Sequence, residues 1–263
     1  MEIKIQSLHI YPLKGAKGIS LKTMDIVKTG PQWDRKWMLI DKENDFISQR
    51  KSSKLCLLEQ EITDNHLVLK APMMENLEIP LINEHKDLTE ITLFKKNTTA
   101  CLVGNFFDEW LSTFLESEVR LVVSPQEPSR FTSGNHGPKT EILFPDGYPF
   151  LLTAQETLDE LNAKLDEPVT MSRFRPNIVI SGANANDEES WKSFKIGNIN
   201  FDSAKACTRC VVISIDQETG KKNNDIVRTL NSYRKKDGSI IFGRNLMHDS
   251  SGSINVGDTL QVN

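Results

Sequence analysis

The sequence predicts a β-rich α+β fold made of two consecutive halves. Short apolar runs recur along the 263-residue chain with turn residues between them, which is the pattern of strands. Only three segments have apolar residues at helical spacing. A polar stretch rich in Pro and Gly, 124–148, is longer than ordinary connections. We therefore expect one domain at 1–123 and a second at 124–263, at least one of them barrel-like, with a few helices packed outside.

Eight segments are predicted as strands. In chain order they are 2–10, 37–40, 66–70, 91–94, 119–123, 177–181, 210–215 and 254–262. The first alternates in part between apolar and polar residues, and the others are short apolar runs bounded by turn residues. The number of strands is what favours barrels or packed sheets over a helical bundle.

The first predicted helix covers 105–117, and Asn105 is its expected N-cap. Its apolar side chains recur at helical spacing and form one stripe. They are Phe106, Phe107, Trp110, Leu111, Phe114 and Leu115. A stripe of this kind is far more often part of the core than of a cofactor site, so we expect it to pack inward.

Two further segments are predicted as helices. The segment 153–165 begins with Thr153 and Glu156, which have the spacing of a capping box. The segment 225–233 is shorter, and Asp225 is its expected cap.

Composition and charge argue against several classes of protein. Hydrophobic residues make up 38% of the chain and charged residues 26%, a balance typical of a folded globular protein. The chain has 32 basic and 36 acidic residues, and this net charge of −4 opposes binding to nucleic acid or to an anionic membrane. No signal peptide and no run of roughly 18 apolar residues is visible, so we expect no membrane span. The four cysteines do not form a disulfide framework, and we expect a cytoplasmic protein with reduced thiols.

The most informative motif is the C-x-R-C sequence from Cys207 to Cys210, followed at once by an apolar run. A structural zinc site needs about four ligands, and the isolated Cys56 and Cys101 do not supply a second pair. A redox pair of the thioredoxin kind begins a helix, whereas this motif is predicted to open a strand. Two cysteines in a β core are the plainest interpretation. The fourth is a single thiolate ligand to a transition metal, which the neighbouring Arg209 would favour.

Two further groups of polar residues could bind an anion. Arg173, Arg175 and Asn177 precede a predicted strand, and paired arginines can hold a phosphate, although a surface pair in a turn is the commoner case. The segment 11–18 supplies Lys14 between glycines but lacks the order of a nucleotide-binding P-loop. The pair Asp34–Arg35 is in most proteins a plain salt bridge.

Taken together and in this order, these motifs resemble the MOSC superfamily. The resemblance is to the subgroup that has an N-terminal MOSC-type β-barrel before the MOSC domain, whose members include the mitochondrial amidoxime-reducing component and bacterial MOSC/ferredoxin fusion proteins. The matching stretches cover nearly the whole chain. They are YPLKGAKG (11–18), DRKWMLID (34–41), YPFLLTAQETLDELN (148–162), FRPNIVISGA (174–183), Trp191 with IGNINF (196–201), ACTRCVVISIDQETG (206–220) and INVGD (254–258).

The resemblance implies two β-barrel domains and a molybdenum–molybdopterin cofactor whose metal is held by Cys210. The positions that match the family's pterin and phosphate contacts are Lys14, Arg35, Arg175, Asn177, Thr208 and Arg209. It further implies reduction of small N-hydroxylated or N-oxide compounds, with electrons from a separate partner that is a flavoprotein reductase or an iron–sulfur or haem carrier. The alternative that the superfamily implies is a cofactor carrier or sulfur-transfer module without turnover of its own. A cofactor-free thiol protein that uses Cys207 and Cys210 as a redox pair is a third hypothesis.

The sequence departs from the family pattern at two positions. Gly15 stands where close relatives usually have Ser, so one contact to the phosphate or pterin would be lost or would come from the backbone. Ala183 stands where mitochondrial relatives have Cys, so that thiol is not required here.

Overall fold

The structure is a computed structural model that describes residues 2–82, 87–127 and 130–263. The first half of the chain contains eleven of the described strands and one helix. They are β1 (Lys4–Ile10), β2 (Ile19–Leu21), β3 (Thr23–Val27), β4 (Gly30–Pro31), β5 (Trp37–Ile40), β6 (Glu59–Ile62), β7 (His66–Lys70), β8 (Leu77–Pro80), β9 (Leu88–Leu93), β10 (Lys96–Leu102), α1 (Asn105–Leu115) and β11 (Arg120–Val123).

The second half contains ten described strands and two helices. They are β12 (Arg130–Phe131), β13 (Glu141–Ile142), β14 (Phe150–Ala154), α2 (Gln155–Asn162), β15 (Ile178–Ser181), β16 (Ser193–Ile196), β17 (Ile199–Arg209), α3 (Asp225–Tyr233), β18 (Lys235–Lys236), β19 (Ser239–His248), β20 (Gly252–Asn255) and β21 (Leu260–Val262). Short 3₁₀ turns lie at Ser53–Leu57, Met171–Phe174, Asp187–Glu189 and Val211–Ser214. The predicted β-rich α+β class is confirmed.

The largest sheet has the strand order β2-β1-β15-β14-β19-β17-β16-β21, with β18 paired to β19. All its pairs are antiparallel except β14 with β15. The free end of the sheet returns to β1 through a bridge between Lys4 and Thr259 and a bond from the Leu260 amide to the Ile3 carbonyl of 2.9 Å. The sheet therefore closes on itself around an apolar core that includes Phe150, Phe194 and Phe201.

The remaining sheets are smaller. In the first half a four-stranded sheet, β5-β11-β10-β9, and a three-stranded sheet, β6-β7-β8, surround a second core. Helix α1 closes this core with its apolar stripe, and the amide of Leu121 donates to Asp108 at its N-terminal turn (2.7 Å). The inward packing expected of the stripe is confirmed for Leu111 and Leu115, but Phe106 is 70% exposed.

Strand pairing crosses the predicted domain boundary. Strand β1 lies between β2 and β15, and β3 pairs with both β4 and β20. The first 31 residues thus contribute strands to sheets of the second half. The boundary at residue 124 stays a prediction.

Two of the predicted strands are wrong. The run 210–215 forms a 3₁₀ turn at Val211–Ser214, because Ile213 packs into a cluster with Phe174, Ile226 and Phe242. A run of this length fits a buried turn as well as a strand. The run 254–262 is interrupted by a turn at 256–259, where Gly and Asp occur, so its two ends belong to β20 and β21 in different sheets. The other six predicted strands are confirmed, five of them within two residues at each end, and β9 begins three residues before the predicted start at 91.

The predicted caps are also wrong, although all three helices are confirmed. The N-cap of α1 is Gly104, and Asn105 is the first helical residue. Gly104 has a φ of 136°, which a residue such as Asn rarely adopts. Thr153 belongs to β14, and α2 begins two residues later. There the buried carboxylate of Glu188 accepts hydrogen bonds from the Ala154 amide (3.4 Å) and the Thr157 hydroxyl (3.0 Å), which replaces the capping box.

The third helix shows the same difference at its start. Asp225 is the first residue of α3, and its amide donates to Asn223 Oδ1 at 2.9 Å, so the cap comes from outside the predicted segment. None of the described helices is long and apolar enough to cross a lipid bilayer.

Candidate functional site

All seven residues predicted for the site line one cavity, which we call the first cavity. They are Lys14, Arg35, Arg175, Asn177, Thr208, Arg209 and Cys210. They come from four separate segments: the loop after β1, the turn before β5, the residues just before β15, and the end of β17 with the residue that follows it. The cavity has a volume of about 190 Å³, whereas one water molecule needs roughly 10–15 Å³. It therefore has room for a small molecule or for part of a larger one.

Cys210 lies just beyond the end of β17, and it is exposed. The pairing of β17 with β19 is irregular at Ser203–Lys205 and again at Ala206–Thr208. Such bulges re-aim the side chains that follow them. The Cys210 carbonyl then accepts the Ile213 amide (3.4 Å), which begins the 3₁₀ turn. The thiol is thus accessible to a ligand from the cavity.

Arg209 reaches the cavity wall with one unused donor. Its Nε donates to the Phe242 carbonyl and its Nη1 to the Phe174 carbonyl, both at 2.9 Å. The stacked rings of these two phenylalanines lie 5.4–5.9 Å from the guanidinium carbon. Nη2 is buried and has no hydrogen-bond partner in the described structure. An unpaired buried charged donor is costly, so this nitrogen fits a polar or anionic ligand.

Two more arginines lie against the ring of Tyr11. The guanidinium carbons of Arg35 and Arg175 lie 4.4 and 4.2 Å from the centre of its ring. The Tyr11 hydroxyl donates to the Pro176 carbonyl (3.0 Å). Both arginines have a left-handed backbone, with φ of 50° and 53°. Strain of this kind in residues other than Gly concentrates at functional sites.

The arrangement holds two like charges close together, and Asp34 forms an ion pair with one of them, Arg35. Burial lowers the pKa of Arg175 to about 10, and Arg35 contributes to the shift. Burial raises the pKa of Tyr11 to about 12, so its side chain is neutral at pH 7. A bound anion would relieve the repulsion between the two guanidinium groups.

Asn177 holds the side chain of Arg35 through a hydrogen bond. Its Oδ1 accepts hydrogen bonds from Arg35 Nη1 (3.1 Å) and the Leu151 amide (3.2 Å), and its Nδ2 donates to the His9 carbonyl (3.1 Å). The carboxylate of Asp34 pairs with Arg35 and accepts the Tyr11 amide (2.8 Å). Arg35 therefore forms a salt bridge with Asp34 and also lines the cavity.

Lys14 is also buried in the wall of the cavity. Its ammonium group pairs with Asp146 and donates to the Phe144 carbonyl (2.9 Å). It also lies 5.3 Å from the ring of Phe94 and 5.7 Å from that of Phe46. Burial lowers the pKa of Lys14, and Asp146 opposes that shift.

The polar stretch 124–148 supplies part of the wall. Its last residues, 145–148, line the first cavity, and a short hairpin of β12 and β13 precedes them. Positions 128 and 129 of this stretch lie outside the described residues.

Arg173 lines the cavity, but its guanidinium group is already hydrogen-bonded to other residues of the protein. Its Nη1 donates to the Ser214 carbonyl (3.1 Å) and its Nη2 to Asp216 (2.8 Å). It therefore anchors the segment that follows Cys210. Nearby, Gln49 and Gln217 donate to each other at 2.9 and 3.0 Å and connect the two halves of the chain beside Arg175.

Sequence reasoning missed several lining residues. They are Phe46, Gln49, Arg50, Phe94, Asp146 and Asn245. Each comes from a loop or strand with no motif of its own, and only the fold brings them together. Arg50 is exposed and could have been recognised only as one more surface cation.

The other cysteines differ in environment from Cys210. Burial raises the pKa of Cys207, which also lines the cavity. Cys56 donates to the Asp216 carbonyl (3.5 Å), and Cys101 belongs to the core of the first half. No group of three His, Cys, Asp or Glu in the described ranges is arranged to hold a metal. His85 lies outside those ranges.

Gly15 has a backbone conformation that Ser would not adopt easily. Its φ is 96°, and a Cβ there would lie 3.1 Å from the side chain of Leu55. The Gly15 carbonyl accepts Gln49 Nε2 (2.7 Å), which fixes the loop beside Lys14. A side chain at this position would be strained.

Tyr11 gives a prediction about stability. Tyr11→Leu should lower the free energy of unfolding by roughly 2–4 kcal/mol, because it removes two cation–π contacts and a hydrogen bond. Tyr11→Phe keeps the ring and should cost about 1 kcal/mol. Urea unfolding of both variants measures the difference. Equal losses of unfolding free energy in the two variants would show that the ring of Tyr11 contributes nothing to stability beside the arginines.

Comparison with known proteins gives a consistent result. Residues 2–118 match the MOSC N-terminal beta barrel domain, and residues 139–261 match the MOSC domain. The chain is 30% identical to mitochondrial amidoxime-reducing component 1 of Mus musculus, over 98% of this chain and 82% of that protein. It is 29% identical to the protein of the same name in Danio rerio, over 97% and 83%. Among solved structures, the YUAD protein from Bacillus subtilis matches with a TM-score of 0.45 and 12% identity, over 99% of this chain and 94% of that one.

The two domain matches follow each other along the chain in the order that the sequence motifs indicated. The mouse relative is matched over most of its own length, so the similarity is not confined to one domain. The chain therefore belongs to the family of two-domain MOSC proteins that includes the mitochondrial amidoxime-reducing components.

Proposed function

We propose that this protein binds a molybdenum–molybdopterin cofactor in the first cavity, with Cys210 as the metal ligand. We propose further that it reduces small N-hydroxylated or N-oxide compounds with electrons from a separate protein. The observation that supports the proposal most is the convergence of an accessible thiol with several cations in one cavity of a chain whose net charge is −4. Family membership supports a function related to the same cofactor.

The residues of the cavity fit such a group. Molybdopterin carries a phosphate and a polar ring system, and the cavity offers the unpaired Nη2 of Arg209 and the two guanidinium groups beside Tyr11. The lowered pKa of Arg175, to about 10, reflects burial of a cation next to another cation, Arg35. An anionic ligand would be stabilised at this place for the same reason.

Each residue has a distinct part in this proposal. Arg175, Arg209 and Lys14 would hold the phosphate and the polar edges of the pterin. Asn177 and Asp34 keep Arg35 in place. The exposed Thr208, two residues before Cys210, would contact the group through its hydroxyl.

When bound, the molybdenum supplies the redox chemistry for removal of oxygen from the substrate. The balance for an N-hydroxylated compound is RNHOH + 2 e⁻ + 2 H⁺ → RNH₂ + H₂O. The electrons come from an external carrier, of the flavoprotein, iron–sulfur or haem class. The protein orients the cofactor and tunes its surroundings, as in other cofactor enzymes. Solvent reaches the site, since Cys210 and Thr208 are exposed, and can deliver the protons.

Turnover by the purified protein tests the proposed activity. The full chain is produced in a host that makes the cofactor, reduced chemically, and supplied with benzamidoxime, and benzamidine is quantified. We expect turnover by the wild type and none by Cys210→Ala. A loaded wild type that forms no benzamidine, or that does so no faster than the variant, would contradict the reductase and leave the carrier.

The names of the relatives and the location expected from the sequence point to different cell compartments. The curated relatives carry the word mitochondrial in their names. The cytoplasmic location that we expect for this chain stays a prediction.

A further inference from the structure

A second, larger cavity lies on the other side of the turn that precedes β5. It has a volume of about 890 Å³, within the range of roughly 300–1,000 Å³ that is typical of small-molecule sites. Its buried walls are apolar, with Trp37, Leu81 and Val123, and Trp33 is half-buried. Its rim is exposed and polar at Lys28 and Gln126. We call it the second cavity.

One buried donor in its wall has no partner. Trp37 is 1% exposed, and its indole Nε1 makes no hydrogen bond within the part of the chain that the structure describes. A buried N–H without an acceptor is unusual and costly. A ligand oxygen in this cavity would supply the missing acceptor.

A cation lies beside it. The ammonium group of Lys36 is 4.4 Å from the ring centre of Trp33 and 5.1 Å from that of Trp37, and it donates to the Leu81 carbonyl (3.0 Å). It forms no ion pair with any carboxylate of the described ranges, and Glu141, which also lines the cavity, pairs with Lys28 at 3.0 Å. A lysine has three donors, so Lys36 can still bind an anion.

The half-buried indole of Trp33, which stacks on the buried indole of Trp37, favours a flat ligand. The two rings stack with centres 6.2 Å apart and an interplanar angle of 28°. Trp33 has a φ of 68°, which is a rare conformation for a large side chain. Backbone strain of this kind is kept where it places a side chain for a function, ligand clamps among them.

We propose that the second cavity is a binding site for a planar aromatic carboxylate. The half-buried indole of Trp33 would stack on its ring, and Lys36 and the Trp37 Nε1–H would bind its carboxylate. A neutral aromatic would leave the charge of Lys36 uncompensated, and an aliphatic acid would not use the indole face of Trp33. This site is independent of the cofactor, since none of its lining residues lines the first cavity.

Titration calorimetry of the full-length wild type with 2-naphthoate tests the proposal. We expect saturable binding at one site, and roughly tenfold or more weaker binding of the neutral 2-naphthamide. Lys36→Met should weaken the binding of 2-naphthoate by about tenfold or more. Trp37→Phe keeps a ring and should weaken it about threefold to tenfold. Trp110→Phe is the control, because Trp110 lies on α1 outside the cavity.

The first cavity also attracts anions, so Arg175→Met is measured in parallel and should leave 2-naphthoate binding unchanged. Loss of binding in Arg175→Met but not in Lys36→Met would place the probe in the first cavity and overturn the proposal. Absence of saturable binding up to about 1 mM, or equal affinity for the amide, would overturn it as well. Circular dichroism of each variant establishes that it is folded, and the wild-type comparison of acid with amide does not depend on any variant.

Discussion

Cys210→Ala is expected to lower the molybdenum content of the folded protein by roughly 100-fold or more. Loss of a residue that only supports a ligand already costs about 10–100-fold in metal affinity, so loss of the ligand itself should cost at least as much. Cys210 is exposed and follows the last residue of β17, so the fold does not depend on its side chain. Mass spectrometry of metal per chain, after production in a host that makes the cofactor, measures the effect.

Cys207→Ala is the matched control. Cys207 lies three residues earlier and lines the same cavity, but burial raises its pKa, and a protonated thiol is a poor metal ligand. This variant should keep the molybdenum content of the wild type. If both variants lose the metal to the same extent, or neither does, the assignment of Cys210 as the ligand fails.

Arg175→Met should speed the loss of the cofactor by roughly 10–100-fold. A hydrogen bond to a charged group contributes about 1.5–3 kcal/mol, and every 1.4 kcal/mol is a factor of ten. Arg175 uses its Nη1 for the Ala16 carbonyl (2.7 Å), and its other nitrogens are available to a phosphate. The measurement is the rate at which molybdenum and phosphorus leave the protein during dialysis. Arg228→Met, on the exposed face of α3, is the control and should behave as the wild type.

The effect of Arg175→Met on cofactor loss should not depend on pH between 7 and 8.5. The pKa of Arg175 is lowered to about 10 by burial and by Arg35, so the side chain is still protonated at pH 7 and at pH 8.5. The difference between wild type and Arg175→Met should therefore be the same at these two pH values. Above about pH 10 the wild type would lose its charge and approach the variant. A difference that already disappears at pH 8.5 would contradict a contact between this charge and the cofactor.

Much of the candidate site could be predicted because its residues fall in short motifs that can be recognised one by one. Lys14, Arg35, Arg175 and the C-x-R-C motif line one cavity, as the resemblance implies. Which of these residues contacts the cofactor and which one positions a neighbour could not be predicted as easily. Asn177 was expected to contact the cofactor, but its Oδ1 and one amide hydrogen are bound to the protein, including Arg35.

The remaining parts could not be predicted because they depend on contacts between distant segments. Asp146 and Phe94 enter the cavity from loops, and a loop carries no periodic signal. The run after Cys210 has the composition of a strand, but burial of Ile213 against α3 makes it a turn. Short apolar runs predicted β1, β5, β7, β9, β11 and β15, but the two longest strands, β17 and β19, were not predicted as strands. Two-residue strands such as β4 and β12 have no pattern long enough to recognise.

The position of β1 has a consequence for synthesis on the ribosome. Its partner β15 ends at Ser181, so residues 4–10 have no complete partner until more than two thirds of the chain has been made. The core of the first half can form earlier, since β5 to β11 pair among themselves. The apolar side chains of β1, Ile5, Leu8 and Ile10, meanwhile remain unburied. Chaperone binding during translation should concentrate on this first segment and end as β15 emerges.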